Sequence, residues 1–82
     1  MKTSRAVALR VNNLLIKNNM SAYKLSQASF IAPSTLSNIL NEENKSINLS
    51  TIYKLAYGFG MTIVEFFDDE IFKDEDIIKE LI

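Results

Sequence analysis

The chain of 82 residues contains no cysteine and no histidine. The first absence removes disulfide frameworks, thiolate zinc sites and cysteine nucleophiles together; the second removes imidazole as a base or a metal ligand. Enzyme chemistry would have to rest on Ser/Lys or carboxylate pairs, and no nucleophile–base pair or metal cluster can be assembled from the spacing. No catalytic residue, no metal site and no cofactor is therefore expected. Long apolar runs are missing as well. Nothing approaches the ~20 residues that span a bilayer, and Arg10, Asn12 and Asn13 interrupt the stretch MKTSRAVALRVNNLLIKNN before it can form a signal-peptide core. The expectation is a cytoplasmic protein with no membrane partner.

Acids are absent from the first half of the chain, where none precedes Glu42. Residues 1–64 hold seven Lys and Arg against two acids, whereas residues 65–82 hold two Lys against eight acids. A basic body with an acidic end suits a polyanionic partner for the body, a hint that the net charge of -1 conceals. With 48% hydrophobic residues the chain is no disordered linker, and its length suits one domain with a modest core.

Helical periodicity runs almost throughout, with no sustained period-2 alternation. A first helix is expected from about Ser4 to Asn18, capped by Thr3 or Ser4, with Val7, Val11, Leu14 and Leu15 facing inward. Asn19 suits a left-handed C′ position, Met20 follows as an apolar plug, and Ser21 caps a second helix over 22–29. Phe30 and Ile31 turn the chain. Ala32 and Pro33 open a third helix with proline at N1, running to about Leu40 or Asn41. After the polar loop NEENKSIN, Asn48 caps a fourth helix to about Phe59, and Gly60 and Met61 end it. TIVE, Thr62 to Glu65, is a capping box that starts a fifth helix through Phe66 and Phe67. Phe59, Phe66 and Phe67 read as core, while Tyr23, Tyr53 and Tyr57 suit packing with the hydroxyl outward.

Helices two and three, separated by a few residues, fit a helix-turn-helix. Leu25, Ile31, Leu36 and Ile39 are the apolar anchors, and Ser26 and Ala28 are the small residues for a close crossing. Burying the anchors turns Pro33, Ser34, Ser37 and Asn38 outward. Short polar side chains there let a helix sit deep in a major groove, where Asn bonds adenine N6 and N7 together. From about Arg10 to Asp68 the sequence resembles the Cro/phage-repressor type of helix-turn-helix protein, the Xre-like family. The matching stretches are RVNNLLIKNNMS, KLSQASFIAPSTLSNIL and LSTIYKLAYGFGMTIVEFF, with the polar loop between the last two.

The resemblance implies an all-α fold: a compact five-helix, lambda-repressor-like domain over residues 1–69, followed by a short helical tail over 70–82. It also implies sequence-specific binding of double-stranded DNA, usually as a homodimer, by a repressor-like transcriptional regulator. By position, Pro33, Ser34, Ser37 and Asn38 would face bases with Thr35 at the groove edge, and Ser21, Ala22, Asn41 and Lys45 would lie near phosphates, with Lys24 a further phosphate candidate. Two departures stand out. Ala22 occupies a position often held by Gln, and Phe30 stands where the family usually has Gly. If that turn residue takes φ > 0, Phe carries roughly 1–2 kcal/mol of strain. Helix three also lacks Arg and Lys, so bidentate guanine readout is closed to it.

The tail DDEIFKDEDIIKELI interleaves acids with Ile71, Phe72, Ile77, Ile78, Leu81 and Ile82. Carboxylates at Asp74 to Asp76 suit a helix N-terminus, and the last four apolar residues share one face. That stripe is a candidate dimer or partner surface, or it folds back on the domain's own core. It also supports a rival reading, an antitoxin-like or phage-defence module that uses the same fold to bind a protein.

Overall fold

The computed structural model describes residues 1–44 and 46–82. Among them are six α-helices, one short 3₁₀ helix and no strand, giving the all-α class that the periodicity predicts. The helices are α1 (Thr3–Lys17), α2 (Ala22–Ser29), α3 (Pro33–Leu40), α4 (Leu49–Gly58), α5 (Ile63–Phe67) and α6 (Asp76–Leu81), with the 3₁₀ helix at Glu70–Lys73. One core joins the first five α-helices: Val7, Val11, Leu14 and Leu15 of α1 meet Leu25, Ile31, Leu36, Ile39, Ile52, Leu55, Ala56 and Phe66.

Each helix stops for a local reason. Asn19 is left-handed, φ 50°, and the amides of Asn19 and Met20 close back on Ile16 and Leu15. Ser21 accepts from the Lys24 amide and caps α2. Asn48 caps α4 through the Thr51 amide, and Gly60, φ 70°, ends it with Met61 bonded to the Ala56 carbonyl. The capping box on α5 forms in both directions. Its Thr62 amide donates to the Glu65 carboxylate and, with the Thr62 hydroxyl, holds the Glu65 pKa below the usual value.

Two expectations need correction, and one close contact is new. Neither Thr3 nor Ser4 caps α1; Lys2 is its N-cap without a side-chain bond, and Ser4 is turned into the protein. Phe66 is fully buried, but Phe67 keeps 39% of its surface exposed, so it lies at the core margin, edge-on to Phe66 and Phe72. A close approach between helices falls at Gly58 on α4, where a Cβ would lie 2.8 Å from both the Leu25 Cδ1 and the Ser29 Cβ atoms. Gly58 lets α4 close onto α2, and the small Ser29 side chain completes that fit. The Ser29 hydroxyl is buried with no partner among the described residues, so size rather than bonding accounts for its place.

Arg10 ties the end of the fold to its beginning. Its guanidinium donates to the carbonyls of Phe66 at 2.7 Å and Glu65 at 2.9 Å, and pairs with Asp69 at 3.1 Å. The C-terminal carbonyls of α5, which have no partners within the helix, are thereby satisfied. Asp69 in turn accepts from the Ile71 amide and starts the 3₁₀ helix, from which Phe72 packs onto the core.

Candidate nucleic-acid interface

The anchors decide what α3 presents. Leu36 and Ile39 are each 1% exposed, while Pro33, Ser34, Thr35, Ser37 and Asn38 are all exposed. The five residues expected to meet bases therefore lie together on the outer surface of one helix. Pro33 stands at the N-terminal end. The Asn38 carbonyl accepts from the Glu43 amide, and its side-chain amide is unpartnered among the described residues. Asn41 follows as the C-cap and donates from Nδ2 to Ser37 Oγ at 3.3 Å. Glu42 then turns left-handed, φ 59°, and carries the chain away from the face.

The start of α2 borders this surface. Ser21, Ala22, Tyr23 and Lys24 are exposed, and Ala22 and Tyr23 line a shallow groove with Pro33, Leu36, Ser37, Leu40 and Asn41. Ala22 and Asn41, expected near phosphates, thus share a groove with Pro33 and Ser37, expected near bases. Lys45, the other expected phosphate neighbour, lies outside the described residues. Tyr23 and Leu40 were not among the expected site residues. The groove that includes them takes its lining from both α2 and α3, which no local spacing reveals.

Charge favours an anion on this side. Between Ser21 and Asn41 the chain carries Lys24 and no acid. Arg5 is engaged by Glu42 at 3.4 Å and Arg10 by Asp69, so both arginines of α1 are occupied within the fold. Acids collect on the tail instead. There, Ile71 and Ile77 are half-buried and Phe72 packs inward, whereas Ile78, Leu81 and Ile82 are 62%, 64% and 99% exposed. No group of three His, Cys, Asp or Glu able to hold a metal occurs among the described residues. Among the described residues, no helix is long and apolar enough to cross a membrane.

Helices α2 and α3, joined through Phe30 with its backbone left-handed at φ 60°, and the exposed outer surface of α3 define a helix-turn-helix domain. Residues 10–71 match the Cro/C1-type HTH DNA-binding domain, and the chain belongs to that family. It is a DNA-binding protein. None of the curated proteins and none of the solved structures matches it.

Proposed function

We propose that the protein is a repressor-like transcriptional regulator of the cytoplasm. It occupies an operator in double-stranded DNA and reads the major groove with α3. Pro33, Ser34, Ser37 and Asn38 face bases and Thr35 sits at the groove edge. Ser21, Ala22, Lys24, Asn41 and Lys45 lie along phosphates. The observation that carries this reading is the outer surface of α3: five exposed, short, uncharged residues on a helix fixed from behind by Leu36 and Ile39. Long side chains would hold the helix away from the base edges; these do not.

Residues 1–69 are the DNA-binding unit in this reading, and residues 70–82 join two copies into a homodimer. Exposed Ile78, Leu81 and Ile82 favour association. The same three residues support a second reading, in which the tail docks on another protein and DNA binding is secondary.

Asn38→Ala tests the first reading. Asn38 offers the one side-chain amide among the proposed base-facing residues, so its loss weakens binding to the preferred site by about 1–3 kcal/mol and leaves random duplex nearly unaffected. Fluorescence anisotropy on the two duplexes measures both. Equal losses on the two would remove Asn38 as a base reader.

A further inference from the structure

We infer that the half-site is built on A·T pairs, with an adenine opposite Asn38 and a thymine methyl group in the groove between α2 and α3. This rests on the reading of α3 as the base-reading helix and names what that helix selects.

The first argument is chemical matching. On the major-groove edge guanine presents two acceptors, which Arg or Lys meets with two donors. Cytosine presents an amino donor, which Asp or Glu accepts. From Leu25 to Asn41 the chain has no charged residue of either sign, so both G·C-selective pairings are closed to this face. The hydroxyls of Ser34, Thr35 and Ser37 donate or accept and suit any base pair. The Asn38 amide offers one acceptor and two donor hydrogens, complementary to adenine N6 and N7. The discriminating polar group on this face is therefore matched to adenine.

The second argument comes from the groove. It measures about 250 Å³ and is lined by Ala22, Tyr23, Pro33, Leu36 and Leu40, together with Ser37 and Asn41. Pro33 and Ser37 belong both to the groove and to the outer surface of α3, so a duplex seated on that surface also covers the groove. The thymine C5-methyl is the apolar substituent of the major-groove edge, and apolar walls are what it fits. Adenine and thymine preference thus arise from two separate features of one surface.

The test is selection of binding sites from a random duplex pool with the full 82-residue chain, followed by anisotropy on modified versions of the enriched site. The expected result is a run of A·T pairs in each half-site. Replacing the contacted thymine by uracil, which removes the methyl and keeps the pairing, should weaken binding about fourfold, the worth of one buried carbon. Replacing the contacted adenine by 7-deazaadenine should weaken the wild type several-fold and leave Asn38→Ala unchanged. Half-sites centred on G·C pairs, or uracil tolerated at every enriched position, overturn the inference while leaving base reading by α3 intact. No enrichment above the starting pool overturns both.

Discussion

Phe30 holds a left-handed backbone, φ 60°, at the turn between α2 and α3. A β-carbon in that region costs about 1–2 kcal/mol, and glycine would avoid it. The ring compensates in part. Although 75% of the residue is exposed, it stacks on Tyr57 at 6.0 Å with 29° between the planes, a pairing worth about 0.5–1.5 kcal/mol. The two contributions separate when Phe30→Ala and Phe30→Gly are compared, because both lose the ring and the second also loses the strain. Chemical denaturation should find the glycine variant more stable than the alanine variant by about 1 kcal/mol, despite the entropy that glycine costs. A glycine variant less stable than the alanine variant by about 0.5–1 kcal/mol, the entropy cost alone, would mean that the turn is unstrained.

Among the elements, α5 is the least able to stand alone, at five residues. The capping box holds its start and Arg10 holds its end. The Arg10 side chain is 12% exposed and Asp69 28%, so the pair is partly shielded and its hydrogen bonds are charge-assisted. Arg10→Met keeps most of the apolar stem while leaving two carbonyls and a carboxylate without their donor. Stability should fall by on the order of 2–4 kcal/mol in urea titration. A loss within error of zero would show that the clamp contributes nothing. The helices themselves were legible in the sequence, because Ser21, Pro33, Asn48, Thr62 and Gly60 act within three or four residues of where they stand. The clamp was not: Arg10 meets partners 55 to 59 residues further on, and in a charge count it is one more cation of the basic body. Gly58 was missed for the same reason, since its neighbours Leu25 and Ser29 belong to another helix. The outer surface of α3 could be read because its spacing is local, but the adjoining groove could not.

At the scale of the whole molecule, the proposed function divides the work of binding between the basic body and the acidic tail. One α3 can specify only a few base pairs. Two copies related by a two-fold axis would set their helices ~34–36 Å apart and read both halves of a palindrome. The single domain measures 34 × 23 × 21 Å. The tail is the proposed joint, and its inner and outer sides differ. Phe72 packs near Phe66 and Phe67, so a cut at Asp69 would open the core, whereas a cut after Lys73 removes α6 and leaves those rings in place. Ending the chain after Lys73 should preserve the melting transition and weaken operator binding. It should also shift sedimentation towards monomer at micromolar concentrations. If the full and shortened chains both sediment as monomers, the tail does not join copies.

The account as a whole depends on the chain preferring one duplex sequence to others, and a single ratio measures that. The affinity for the selected site is compared with that for a scrambled duplex of equal length and charge, at one salt concentration near physiological. Phosphate contacts are common to both duplexes and cancel, so the ratio isolates base reading. A protein that reads bases through α3 should favour its site by about a thousandfold or more. A ratio near one, with both duplexes bound and both released by salt, would contradict the account and leave only a basic surface that holds any DNA.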